Sequence, residues 1–556
     1  MAIKTKSKLK AEKKFSFLKD KSAPKQEFDY WSLLYKKVNK VDDKTLTSIN
    51  KKKGFEYGYN EEHDFVCISH DGTVGEFYNI QGLVVGIPKA PKKVFSRSKV
   101  KEEQYWDTEP LPNEKYAKKI KNMRHFSEIA KVATPQEKKL LKEFVDVDGI
   151  EWERRTSGFW FMNDGTPTYV TGSHYFYLRW AKIDVGSPDY REANKIFFYF
   201  WEACKADRRS YGMCYLKNRR SGFSFMASSE IVNTATQSKN SQLGIMSKTG
   251  IDAKSMFVNK VVPISLGLPF FFKPIRSGEE RPKTILEYSV PSTRLTRNKL
   301  MNIVDLAEED EIGLDEGLDT TISWKNTGDN AYDGEKLKFL SFDEIGKLEK
   351  PNNIKNAWLV HKTCLELGSR IVGKCMAGST CNAQDKGGRE FKELYNQSNL
   401  RSVKRDANGQ TPSGLYSLFI PMEFGTEGFI DIYGRPIFKS PKEPVKGIDG
   451  GIIKMGVVDH WENKVKGLKA YPDSLNEYYR QYPRTEEHAF RDEAGAAIFN
   501  LNKIYEQIDF NSDIDNRANI TRGNFQWVDG LDSKVKFYPS QTGRFYTSWI
   551  PETRLQ

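Results

Sequence analysis

YGMCYLKNRRSGFSF, residues 211–225, is the stretch that decides the fold. Its first six residues are a continuous apolar run, the pattern of a short strand buried on both faces. KNRRSGFS (217–224) follows as a basic turn, and a helix begins near Phe225. Strand, glycine-bearing turn and helix in that order let backbone N–H groups converge on a phosphate at a helix N-terminus. A phosphate loop also needs a tight turn, a cation for the β- and γ-phosphates and a hydroxyl for Mg2+. Gly222 supplies the turn and Ser224 the hydroxyl. Phe223 stands where the usual lysine precedes that hydroxyl, which leaves Lys217, Arg219 and Arg220 as the loop's cations, with Ser221 among them.

Upstream, residues 192–207 carry apolar residues at helical spacing. Residues 158–180, GFWFMNDGTPTYVTGSHYFYLRW, read as two aromatic-rich strands turning at Asn163-Asp164-Gly165. Downstream, strands are expected at 242–247, 284–290, 337–342 and 370–377, with a helix over 355–368. Strands alternating with helical stretches imply an α/β fold with a mostly parallel sheet.

Two of these strands end in chemistry. LKFLSFDE (337–344) closes on Asp343-Glu344. A carboxylate pair at the C-terminal end of a parallel strand can put Asp343 on Mg2+ and let Glu344 polarise an attacking water. CMAGSTCN (375–382) ends in small polar residues, of which Ser379, Thr380 and Asn382 are placed to sense a γ-phosphate and couple its loss to movement. Loop, acidic pair and polar strand end, in that order, point to a nucleotide site binding ATP and Mg2+.

Composition bounds the rest. The 556 residues include 38% hydrophobic and 13% aromatic side chains, enough for large cores and against disordered or fibrous classes. Of the net +13, residues 1–53 carry +10, from sixteen Lys against six Asp or Glu. The charge is thus a lysine-rich arm on a nearly neutral body. Six cysteines form no CxxC pair and seven histidines no HExxH, so zinc has no support and a reducing compartment is expected. The longest apolar run, near 261–272, is broken by Pro263 and Pro269 and is too short to span a bilayer. MAIKTKSKLKAEKKF lacks the apolar core of a signal peptide.

The chain divides by pattern into a basic arm (1–60), in which 28–38 has helical spacing and could dock on the body, and a region without evident chemistry (61–157). The latter includes a helix expected over 134–147. The nucleotide-binding segment (158–425) follows, and 426–556 hold a Gly/Pro/Lys-rich insertion and strand-like pieces over 520–551.

From about Gly158 onward the sequence resembles the large terminase subunits that drive DNA packaging in tailed bacteriophages. The likeness rests on the 158–176 hairpin, KNRRSGFS, LKFLSFDE and GSTCN. It extends to GLYSLFIPMEFG (414–425), DIYG (431–434) and YPRTEEHAFRDEAGAAIFN (482–500). The resemblance implies a P-loop NTPase of the ASCE type. Such an enzyme hydrolyses ATP to translocate double-stranded DNA into a procapsid, working in the host cytoplasm as a ring on the portal protein with a small terminase subunit. It also implies that the functional lysine sits at the start of the loop, at Lys217, and that Arg219 contacts the γ-phosphate. Members of this family carry a C-terminal nuclease of RNase H type. Asp431 and Asp459 fall in segments that resemble the linker, so the nuclease is expected to be absent from this chain. Rival readings are another DNA-translocating ATPase such as a helicase, and a degenerate loop that binds DNA or portal without hydrolysis.

Overall fold

The computed structural model describes residues 29–91, 135, 149–289 apart from 185, 317–348 apart from 327 and 329, 353–382, 387–492, 501–512 and 521–547 apart from 541. It separates into two units, Leu33–Glu493 and a smaller one formed by Met1–Ser32 with Ala494–Gln556.

At the centre of the larger unit are seven strands, β1 (Gly212–Leu216), β2 (Gln242–Met246), β3 (Ile285–Tyr288), β4 (Thr320–Trp324), β5 (Leu337–Asp343), β6 (Lys374–Ser379) and β7 (Leu415–Phe419). They lie in the order β3-β4-β2-β5-β6-β1-β7, and every neighbouring pair is parallel except the edge pair β3/β4. The expected α/β architecture with a mostly parallel sheet is therefore present.

Parallel strands joined by helices must be covered on both faces, and these residues supply both coverings. Cys214, Leu216, Leu340, Phe342, Cys375, Ala377, Leu415 and Phe419 form one core with helices α3 (Ile354–Thr363) and α4 (Gly388–Gln397). The alternate residues face α1 (Glu192–Ala206) and α2 (Phe223–Ala235). Tyr215 meets Phe197 at 5.2 Å and Phe223 at 5.8 Å between ring centroids, and Phe339 meets Trp201 at 5.6 Å. Each such large side chain contributes about 1.5–3 kcal/mol by leaving water. Leu337 and Phe339 escape simple alternation because the β5/β2 register shifts between them.

The aromatic stretch over 158–180 is a hairpin only in its first part, Phe159–Asn163 against Thr166–Val170. GSHYFYLRW, read above as strand, is a helix (Gly172–Trp180). The Thr171 hydroxyl accepts from the His174 N–H at its first turn, and that cap with near-complete burial overrides the aromatic residues' strand preference. The strand expected at 370–377 begins at Lys374. Arg370–Ile371 pairs instead with Glu366–Leu367 across a tight turn.

Part of the stretch read as a basic arm is structured. Lys36–Val38 and Gly58–Asn60 are the two edge strands of a five-stranded sheet that also contains Phe65–Cys67, Glu76–Ile80 and Leu83–Ile87. Its Val41, Phe55, Phe65 and Phe77 make a separate small core. This sheet packs on α1, and Gln81 bonds both backbone groups of Phe419 in β7. The helix expected over 134–147 lies outside the described residues except at 135. In the smaller unit, Leu501–Ser512 is helical, and Thr521–Trp527 pairs antiparallel with Val535–Pro539 and Phe545–Thr547.

Candidate nucleotide site

Register brings the motifs level. Asp343 of β5 is opposite Gly378 of β6, Gly378 is opposite Tyr215 of β1, and Ser379 is opposite Leu216. The acidic tip and the loop therefore leave the sheet together, two strands or about 10 Å apart. The strand carrying GST lies between them.

Lys217, the first residue beyond β1, spans that gap. Its Nζ lies 2.9 Å from Asp343 Oδ1 and 2.9 Å from Glu344 Oε1. Its backbone N–H donates to the Ser379 carbonyl at 2.9 Å, which fixes the chain where it turns away from the sheet. Burial alone would favour the neutral amine, but the two carboxylates outweigh it and hold the ammonium above its ordinary value. Burial likewise opposes the Glu344 charge, and Lys217 and Lys347 overcome it, holding that carboxyl down at about 2. The pair is fully charged at neutral pH.

Gly222 begins α2 with φ 74°, in the left-handed region that glycine enters without strain. Phe223 then turns inward, 1% exposed, and its ring lies beneath Gly378. A Cβ at Gly378 would come within 2.6 Å of that ring, so Phe223 is accommodated by the absence of a side chain on β6. The Lys217 ammonium rests 4.9 Å from the Phe223 ring centroid. Position 223 is thus part of the core, and the ammonium that rests on its ring comes from the other end of the loop. Ser224, one residue on, hydrogen-bonds through its hydroxyl to Asp343 Oδ2.

Glu344 adopts φ 56°, uncommon for a residue with a Cβ, and its N–H donates to the Gly378 carbonyl at 2.8 Å. Such backbone costs about 1–3 kcal/mol and persists where surrounding bonds over-determine it. Ser379 Oγ lies 3.3 Å from Glu344 Oε2 and 2.5 Å from the Thr380 carbonyl. Thr380 Oγ1 is buried with no hydrogen-bond partner among the described residues.

Lys217, Ser224, Asp343, Glu344 and Ser379 therefore meet, with Thr380 next along the chain and Asn382 half-buried beyond it. Arg219 and Arg220 are exposed at the crest of the loop, outside this contact set, with Ser221 half-buried beside them. The Arg219 N–H donates to the Gln481 carbonyl at 2.9 Å, at the end of helix α5 (Pro472–Gln481). Two further cations were not found by sequence reasoning. Lys347 lies 3.1 Å from Glu344 Oε2. Lys260, in the π-helical turn Phe257–Val261, sits 4.7 Å from the Phe225 ring and interacts electrostatically with Asp343. Spacing of three after the acidic pair could have flagged Lys347; no local signal marks Lys260.

A hydroxyl and a carboxylate oxygen in mutual contact are a hard-oxygen donor pair that suits Mg2+, an ion that takes few protein ligands and completes its shell with water and phosphate. No group of three or more His, Cys, Asp or Glu able to hold a metal occurs among the described residues, and none of their helices is long and apolar enough to cross a membrane.

No family model and no curated protein matches the chain. Among solved structures it is similar to the large terminase ATPase domain of Thermus phage P74-26, at 16% identity over 49% of this chain and 86% of that one, TM-score 0.29. A mutant of that domain gives 15% identity over 50% and 88%, TM-score 0.31. The HK97 bacteriophage large terminase gives 10% identity over 66% of each chain, TM-score 0.31.

Proposed function

We propose that this chain is the ATPase part of a large terminase subunit, hydrolysing ATP to drive double-stranded DNA into a procapsid. The observation that carries the hydrolytic half is the Lys217 ammonium bridging Asp343 and Glu344 while Ser224 holds the far oxygen of Asp343. The packaging half rests on the sequence resemblance. A β6 strand between loop strand and acidic strand supports the ASCE type.

In this reading Lys217 binds the β- and γ-phosphates, exchanging its carboxylate partners for phosphate oxygens, with Arg219 and Arg220 closing from the crest of the loop. The backbone amides from Ser221 to Ser224 cradle the phosphates at the N-terminus of α2. Ser224 and Asp343 would hold Mg2+, which supplies charge neutralisation of the phosphates when bound. Glu344, released from Lys217, accepts a hydrogen bond from the attacking water and orients it in line with the γ-phosphorus. Ser379, Thr380 and Asn382 register the departure of phosphate, Thr380 Oγ1 having an unfilled hydrogen bond with which to do so.

The partners belonging to this proposal are double-stranded DNA, a portal protein, a small terminase subunit and further copies of the chain in a ring, in the host cytoplasm. Steady-state ATP turnover with and without double-stranded DNA tests it: turnover stimulated by DNA is expected, and nucleotide binding without turnover would favour the non-hydrolysing alternative.

A further inference from the structure

Glu344 has its two oxygens held in different ways. Among the described residues Oε1 is held by Lys217 alone, at 2.9 Å. Oε2 is 3.1 Å from Lys347 Nζ and 3.3 Å from Ser379 Oγ. The serine has one hydrogen, and the Thr380 carbonyl at 2.5 Å is its nearer acceptor, so the main hold on Oε2 is Lys347.

The two lysines also differ in what they can do. Lys217 stands on the phosphate loop, where a triphosphate competes for it. Lys347 is three residues beyond Glu344 in the turn Ile345–Lys347, and its own N–H donates to the Glu344 carbonyl at 2.9 Å. That turn is locked from below, because a Cβ on Gly346 would come within 2.8 Å of Phe391 on α4 and 3.0 Å of Ser379 Oγ. The Lys347 ammonium further interacts with Glu477 of α5. Lys347 stands off the phosphate loop, with Glu344 and Glu477 as its acidic neighbours.

From this asymmetry, and resting on the ATPase reading above, we propose that Lys347 is a positioning residue that pins Glu344 Oε2. Oε1 is then the oxygen presented to the attacking water once phosphate has taken Lys217. A carboxylate hinged at one oxygen aims the other; a carboxylate released at both would swing about its side-chain bonds and orient water poorly. Lys347 touches neither nucleotide nor water, so its loss acts on the rate and leaves binding alone.

The test is steady-state ATP hydrolysis together with equilibrium binding of a fluorescent ATP analogue, for wild type, Lys347→Met, Lys347→Arg and Ser379→Ala. Methionine keeps most of the stem and removes the charge. Lys347→Met should lower kcat by about 10- to 100-fold, the scale of misplacing a catalytic group, with KM and analogue affinity within about twofold of wild type. Lys347→Arg should recover most of the loss, and Ser379→Ala should show a smaller loss, again in kcat. Unchanged kcat in Lys347→Met, a loss that appears in KM, or an arginine no better than methionine would overturn the proposal. Should Lys347→Met fail to fold, an unchanged kcat in Ser379→Ala together with an inactive Lys347→Arg would do so. A wild type that does not hydrolyse ATP, or that Glu344→Gln does not slow, would instead remove the ATPase reading itself.

Discussion

Lys205 and Lys217 each sit between two carboxylates, and in the proposed reading only Lys217 belongs to a reaction site. Lys205 lies 2.9 Å from Glu202 and 3.2 Å from Glu230, and donates to the Ser173 hydroxyl at 2.7 Å. Lys217 has Asp343 and Glu344, and its remaining side faces the Phe223 ring. In both, the carboxylates overcome burial and hold the ammonium above its ordinary value. Electrostatics alone does not tell them apart. The carboxylates of Lys205 project from the interiors of α1 and α2, and Glu202 is further bound by the Tyr57 hydroxyl at 2.7 Å. Those of Lys217 stand at a strand tip and on the left-handed residue after it. Helix-interior carboxylates keep their partners unless the helix opens, whereas strand-end carboxylates beside a loop can exchange theirs.

The largest expected effect breaks the loop triad at its chemical member. Glu344→Gln keeps size and hydrogen bonding and removes the base, so ATP turnover should fall by about 10² to 10⁴ fold while nucleotide binding persists. Near-normal turnover would leave the two triads chemically equivalent. Next, Phe223→Lys restores the residue that the usual loop carries, but here it would drive an ammonium into the core under Gly378 beside Lys217. It should cost about 3–5 kcal/mol by thermal or denaturant unfolding and raise neither affinity nor turnover. A stable, more active variant would mean that position 223 reaches the phosphates.

The converse test removes Lys205. Lys205→Ala leaves Glu202 and Glu230 buried without their cation, and should cost about 3 kcal/mol of stability with turnover per folded molecule unchanged. The smallest effect is in acid. Burial raises the Glu202 carboxyl, and Lys205 and Tyr57 outweigh it, so its folded value lies below the ordinary 4.5. A depressed carboxylate stabilises the fold above its unfolded value, and that contribution is lost as pH falls through the folded one. Melting temperature followed below pH 4.5 should therefore fall less steeply in Glu202→Gln than in wild type, from a lower starting value.

Much of this was legible in the sequence because it rests on short, mostly apolar strands. YGMCYL and LKFLSF read as buried strands by composition alone, and the residues just beyond them had to be at their tips. The order of strands in the sheet was not legible, since no local pattern says that β6 enters between β1 and β5. Nor was the inward turn of Phe223, which depends on a glycine 155 positions later in the chain having no side chain. GSHYFYLRW misled because aromatic residues favour strands on average, while Thr171 as a cap and the surrounding core decided for helix. Lys347 stands at a spacing from Glu344 that could have flagged it, but a lysine in a turn is ordinary until the turn is seen to face Glu344.

The claim that the loop triad, and not its helix-bound counterpart, is the nucleotide site is tested most directly by titrating a fluorescent ATP analogue into Lys217→Ala and Lys205→Ala, with the exposed Lys239→Ala as control. Loss of a charge-assisted contact to phosphate should weaken binding to Lys217→Ala by about 10- to 100-fold. Lys205→Ala and Lys239→Ala should bind as wild type, the former with a lowered melting temperature. Equal affinity in Lys217→Ala and Lys239→Ala, or a loss of binding in folded Lys205→Ala as large as that in Lys217→Ala, would contradict the account.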